Sequence, residues 1–249
     1  MPRATVLFSF AHPDDESFCG AGLAGWCHAR GVDVVLVTAT RGDAGKAGDM
    51  HRSGTPADVG AARAVELAEA GRIIGLKHIE LWDYGDKRLA DAKVEDIRPR
   101  LVAAIRAWRP AVVLTFDPNG FNLHPDHIAI SRFTSDAIAA AADPRWHPEA
   151  GAAHAVTRLL WTSPLPPWSA SRSSNASAEP GIDFLLDTTP WREVKRQALA
   201  SHRTQHHSID RHFFSQPDID EILSVEAYRH GWGPPLAQRP SNDIFEGLP

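Results

Sequence analysis

Two short clusters gather metal-capable side chains: Ala11-His12-Pro13-Asp14-Asp15-Glu16 and His124-Pro125-Asp126-His127. A catalytic zinc takes three protein ligands of the His and carboxylate type and keeps a further position open for water. His12, Asp15 and His127 can supply that set. His12 and Asp15 are three residues apart, as are His124 and His127, so a first helical turn would put each pair on one face. Asp14 is then left beside an attacking water, where a carboxylate can act as general base. The plainer reading is helix-start chemistry, because Pro fits the first helical position and Asp favours the positive end of the helix dipole. Two clusters, each just after a predicted strand, favour a shared site over two unrelated helix starts.

The elements that must carry these clusters follow from the pattern of apolar residues. Ala4–Phe10 reads as a buried strand, followed by a helix over Glu16–Ala29, a strand at Asp33–Thr38 and a Gly-containing polar loop, which is a βαβ opening. Thr55-Pro56 supplies an N-cap and first position for a helix running to Ile74, with a short strand at His78–Trp82 after it. Val94–Trp108 has helical spacing, Ala111–Phe116 is a buried-type strand, and Ile128–Ala142 continues a helix begun in the second cluster. Strands at Val156–Thr162 and Phe184–Leu186 and a helix from Thr189-Pro190 to Gln205 complete the regular part. The expected fold is α/β, Rossmann-like, a mostly parallel sheet with helices on both faces. In such sheets ligands bind outside the carboxyl ends of the strands, where both clusters fall. The whole chain, 1–249, reads as a single domain with its core at 4–205 and an irregular tail over 232–249.

Composition narrows the partners. The chain has 249 residues, is 43% hydrophobic and 23% charged, and carries a formal charge of −5 with no basic run, which argues against nucleic acid and anionic membrane. A small polar substrate is the expectation. No signal-length or membrane-length apolar segment is visible, so a cytoplasmic protein without a membrane span is expected, with a homo-oligomer left open. Cys19 and Cys27 are placed two turns apart in one helix, too far for a disulfide, and read as small core residues.

The paired clusters resemble the signatures of the LmbE-like, or PIG-L, zinc-dependent de-N-acetylases. The similarity extends to Thr40-Arg41-Gly42-Asp43-Ala44-Gly45, Arg63-Ala64-Val65-Glu66-Leu67, Asp117-Pro118-Asn119-Gly120 and the segment from Lys195 to Gln205. The resemblance implies a Rossmann-like fold and removal of an N-acetyl group from an amino-sugar substrate of the GlcNAc type. It implies one Zn2+ per chain on His12, Asp15 and His127, with Asp14 as general base. It further implies that His124 stabilises the oxyanion, as an imidazolium would, and that Arg63 and Asp83 hold hexose hydroxyls. Asn122 stands where mycothiol-pathway members have a Tyr; its amide donates a hydrogen bond but supplies no proton. Asp83 is followed by Tyr84-Gly85-Asp86 instead of the Ser-Gly-Met of those members.

Other readings stay open at this level. Asp126 orients His124 or caps the following helix; Arg63 is a substrate residue or a partner of Glu66; His202, His206 and His207 mark a helix end or a second metal. Trp82 and Trp168 line an acceptor site or serve as core anchors, and residues 164–180 form a lid or a surface connection. An amidase acting on a larger N-acyl group in natural-product tailoring is the alternative enzyme. A non-catalytic nucleotide- or sugar-binding module is the alternative of another class, although the first strand lacks the Gly-x-Gly-x-x-Gly turn of such modules. A two-metal phosphoester hydrolase is a third.

Overall fold

Strand β1, Thr5–Phe10, is buried at every position and lies in the interior of a seven-stranded sheet. The computed structural model describes residues 4–45, 55–163, 165, 166, 169, 171–173, 175 and 179–249. The other strands are β2 (Asp33–Thr40), β3 (His78–Tyr84), β4 (Val112–Thr115), β5 (Arg158–Thr162), β6 (Phe184–Asp187) and β7 (Val225–Trp232). Their order is β3-β2-β1-β4-β5-β7-β6. The first five strands run parallel, and β7 pairs antiparallel with both β5 and β6. Continuous apolar runs such as Val34–Val37 suit strands covered on both faces.

The main helices are α1 (Asp15–Cys19), α2 (Ala21–His28), α3 (Pro56–Ile74), α4 (Val94–Trp108), a short turn α5 (Gly120–Leu123), α6 (Pro125–Ala142) and α7 (Arg192–Ser201), with short helical turns between Arg203 and Ile222. One layer packs α2, α3 and α7 together and the other packs α4 against α6. The chain moves outward from β1 through β2 and β3, then returns to the other side of β1 at β4. With right-handed crossovers this reversal puts the two helix layers on opposite faces. It also opens a crevice between the carboxyl ends of β1 and β4, where the two clusters sit. Among the described residues no helix is long and apolar enough to cross a membrane.

Most boundaries agree with the pattern of the sequence. Helix α3 begins at Thr55, whose hydroxyl accepts from Asp58 N while the Asp58 carboxylate accepts from Thr55 N, and it ends at Gly75 with φ 79°. The single helix expected over 16–29 is instead two, broken at Gly20. A Cβ there would come within 2.6 Å of the Phe8 ring, so strand and helix can pack this closely only at glycine. Strand β7 has no counterpart in the sequence reading, because one of its inward positions is a carboxylate.

That carboxylate, Glu226, is buried with Lys195 Nζ at 2.6 Å and accepts from Gly22 N and Leu23 N at 3.0 and 2.7 Å, capping the first turn of α2. The tail beyond Trp232 has no helix or strand, yet Ile244 is fully buried and the buried Arg158 donates to Ile244 O and Glu246 O. Lys195→Met removes the countercharge of Glu226. Urea denaturation is expected to show a loss of ~3–5 kcal/mol, as breaking a buried pair leaves a charge uncompensated; a loss under ~1 kcal/mol would place the pair among weak surface contacts.

Candidate active site

At the end of β1 the chain turns sharply through Pro13 and Asp14. Asp14 holds φ 127° and ψ −27°, a conformation a non-glycine residue adopts only when its surroundings impose it. Three groups do so. Glu16 Oε2 accepts from Asp14 N at 3.0 Å, and Arg63 NH2 donates both to Pro13 O and, at 3.1 Å, to Asp14 Oδ1. Arg63 NH1 also donates to Gly42 O at 2.9 Å, so one buried guanidinium ties α3, the loop after β2 and the first cluster together. Glu16 is fully buried and faces His202 Nε2 at 2.8 Å. Burial works against both charges, but each raises the other's ionised population: Glu16 is held below its ordinary pKa and His202 above its own.

The second cluster is shaped by Asp117, buried at the end of β4. Its carboxylate accepts from Phe121 N at 2.7 Å and from the Asn119 side chain at 3.1 Å. Gly120 has φ 66°, and a Cβ there would lie 2.8 Å from Ile128 N, so the turn admits only glycine. Gly120 O accepts from His127 Nδ1 at 3.1 Å, while the His127 ring stacks on Phe116 at 3.8 Å between centroids. This turns Nε2 of His127, with its lone pair, towards His12.

His12 Nδ1 and His127 Nε2 are 3.2 Å apart, with Asp15 oxygens 3.7 Å from the first and 3.5 Å from the second. On its far side His12 Nε2 meets Asp126 Oδ2 at 3.1 Å and Asp86 Oδ1 at 3.3 Å. A His that donates one ring N–H to a carboxylate presents the other nitrogen as a ligand. Two imidazole lone pairs and a carboxylate facing one another in a buried space need a cation or a proton between them. The donor set of two imidazoles and a carboxylate suits a divalent transition metal. When a proton takes the place, burial depresses His12, but Asp126, Asp86 and Asp15 together more than reverse this and push it up to about 10. Burial also raises Asp15 to about 7 and pushes Asp14 upward despite the nearby Arg63.

Asp126 performs neither role expected of it. Its carboxylate accepts from Lys87 N and Leu89 N at 2.6 and 3.0 Å and bonds His12, so it orients a different imidazole from the one anticipated. The helix cap comes from His124, whose Nδ1 accepts from Asp126 N at 3.2 Å. An accepting Nδ1 means a neutral ring with Nε2–H as donor, not an imidazolium. Partial burial and the neighbouring His12 hold its pKa down, in keeping with this. Asp86, which the sequence reading did not single out, lies against His12 and accepts from Ala44 N at 2.8 Å. Burial opposes its ionisation, but the contact with His12 carries it down to about 2.

A cavity of about 230 Å³ opens over these groups, with Asp14, Asp15, Arg63, His124 and His127 in its walls. Phe18, Phe116 and Phe121 supply an apolar side, and Gln205, Ser208 and His212 a polar one. Asn122 lines the mouth and accepts from His124 N at 3.1 Å. Arg63 reaches the cavity, where its two terminal nitrogens bond Asp14 and two backbone carbonyls while its buried Nε has no hydrogen-bond partner. Asp83 is exposed, bonded to Arg41, and is not among the described cavity residues. Glu66 holds Thr204 N at 2.9 Å, in a different arrangement from a pair with Arg63. Trp82 is buried among core residues, while Trp168 and much of 164–180 lie outside the described residues. No metal-capable group of His202, His206 and His207 forms among the described residues.

The family model for PIG-L, described as GlcNAc-PI de-N-acetylase, matches residues 7–138, slightly more than half of the chain and inclusive of both clusters. The chain belongs to the PIG-L family. A relative from Saccharopolyspora erythraea, a 1D-myo-inositol 2-acetamido-2-deoxy-alpha-D-glucopyranoside deacetylase, is 33% identical over 96% of this chain and 98% of its own. N,N'-diacetylchitobiose deacetylase from Pyrococcus horikoshii superposes with a TM-score of 0.71 at 20% identity, over 92% of this chain and 84% of that one. The 4-carboxy-2-hydroxymuconate hydratase GalB of Pseudomonas putida superposes with a TM-score of 0.70 at 19% identity, over 95% and 98%. Likeness of fold at this level therefore spans different reactions, and the chemistry must be argued from the site.

Cation binding must displace the His12 proton, and below pH 7 the Asp15 proton as well. Apparent zinc affinity, measured by competition with a chelator, is expected to strengthen about tenfold per pH unit between pH 7 and 9, with about one proton released per ion. Affinity independent of pH over that range would contradict the assigned protonation.

Proposed function

We propose that this PIG-L family member hydrolyses the N-acetyl group of a GlcNAc-type amino sugar, with zinc held by His12, Asp15 and His127 and Asp14 as general base. The observation that carries this reading is the convergence of His12 Nδ1, His127 Nε2 and Asp15 beside a strained carboxylate in an open cavity. Bound there, a divalent cation would acidify a water and polarise the acyl carbonyl.

The remaining steps belong to the chain. Asp14 takes a proton from the attacking water as its oxygen bonds to the acyl carbon, and a pKa raised by burial suits it to this exchange. His124 Nε2–H donates to the carbonyl oxygen as negative charge develops. As the C–N bond breaks, Asp14 returns the proton to the departing amine, leaving acetate and a free amino sugar. Asn122 donates without protonating, so the proton need not come from the place where mycothiol-pathway relatives carry Tyr. Glu16, Arg63 and His202 hold Asp14 in the geometry that these transfers need.

Incubation of the metal-quantified protein with a panel of N-acetylglucosamine conjugates is expected to release free amine, and a chelator is expected to stop it. Metal bound near one per chain with no amine released would overturn the reading. Asp14→Asn is expected to keep the metal while kcat falls by ~10²–10⁴-fold, the usual contribution of a general base. His127→Ala is expected to lose metal and turnover together.

A further inference from the structure

Behind the cavity lies a second, much smaller space of about 20 Å³. Phe18, Cys19 and Phe121 line both spaces and form the partition between them; Thr162, Ala227 and Tyr228 close the far side. We infer that this chamber seats the alkyl end of the substrate's N-acyl group and so sets the acyl length the enzyme accepts. This rests on the deacylase reading above.

The argument is one of direction and chemistry. The scissile carbonyl must lie at Asp14, Asp15 and the two imidazoles. The sugar, with whatever is conjugated to it, must face the mouth, where Lys87, Asn122 and Ser208 are exposed. The acyl chain therefore points the other way, to the partition of Phe18, Cys19 and Phe121.

Most polar atoms around the chamber already have partners. Glu226 Oε1 receives Gly22 N and Lys195 Nζ, and its Oε2 receives Leu23 N and lies 2.7 Å from the Tyr228 hydroxyl. Thr162 Oγ1 accepts from Asp117 N and Ser163 Oγ from Leu165 N. Apart from the hydroxyl hydrogens of Thr162 and Ser163, what faces a ligand is mainly apolar surface. A volume near that of one water-sized group admits one or two carbons beyond an acetyl methyl. Acetyl and propionyl should be accepted, butyryl should mark the limit, and octanoyl should be refused.

The test is a series of N-acyl glucosamines from acetyl to octanoyl, read as kcat/KM in the zinc-loaded enzyme. Octanoyl is expected at least ~100-fold below acetyl, since a pocket rejects groups it cannot hold by factors of this order. Cys19→Ala widens the partition and is expected to raise the butyryl-to-acetyl ratio about tenfold; Ala227→Leu fills the chamber from the opposite wall and is expected to lower it about tenfold. The two variants alter different elements, α1 and β7, so poor folding of one leaves the other informative. An unchanged ratio in the variant that folds, or octanoyl cleaved as well as acetyl, overturns the inference while leaving deacylation intact. Amine released from no member of the series overturns the deacylase reading itself.

Discussion

The arrangement on which everything else depends is electrostatic: two imidazole lone pairs and a carboxylate within 4 Å of one another in a buried space. Such a cluster is unfavourable until a cation or a proton lies at its centre. The protein makes the position available by fixing the outer nitrogen of each ring, His12 against Asp126 and Asp86, and His127 against Gly120 O. The anchors come from the loop that leaves β3, which carries Asp86, and from the α5 turn and first turn of α6 beyond β4, which carry Gly120 and Asp126. The cluster is thus a property of three strand ends together and exists only when the sheet is assembled in this order.

A second set of buried charges holds the base. Arg63 reaches from α3 and Glu16 from α1 to the turn at Asp14, and His202, at the end of α7, holds Glu16 in place. Glu66 and Lys195 extend the same bracing outward, the first to Thr204 and the second to Glu226 beneath α2. These ion pairs are poor sources of net stability, because desolvation consumes most of their attraction. Their contribution is to impose one conformation on a residue whose φ of 127° would otherwise relax.

The sequence carried the fold well where hydrophobic periodicity decides it: β1 through β5, α3, α4 and α6 lie within a few residues of their expected bounds. It failed where a different interaction decides. Gly20 breaks a helix because of a ring on a strand twelve residues earlier, which no local pattern records. Strand β7 turns Glu226 and Tyr228 inward, so it lacks the apolar alternation that marks a strand. In the site, the two clusters marked His12, Asp15 and His127 as candidates, but only His124 and His127 stand at a helix start, on α6; His12 precedes α1 and meets Asp15 through the sharp turn at Pro13 and Asp14, which helical spacing does not describe. The partners of Asp126, Asp86 and Arg63 were not legible, because each is set by contacts between elements remote in sequence. Asp86 had one visible signal, an acidic side chain directly after the Gly85 that follows β3.

The most direct test of the account is a crystal structure of the zinc-loaded protein with data collected at the zinc absorption edge. One anomalous peak is predicted, with His12 Nδ1 and His127 Nε2 at about 2.0–2.1 Å and an Asp15 oxygen at about 2.0–2.2 Å. Asp14 should stand free of the metal and His124 should keep its bond to Asp126 N. Zinc held by His12, His124 and His127, or lodged among His12, Asp86 and Asp126, would contradict both the ligand set and the division of labour built on it.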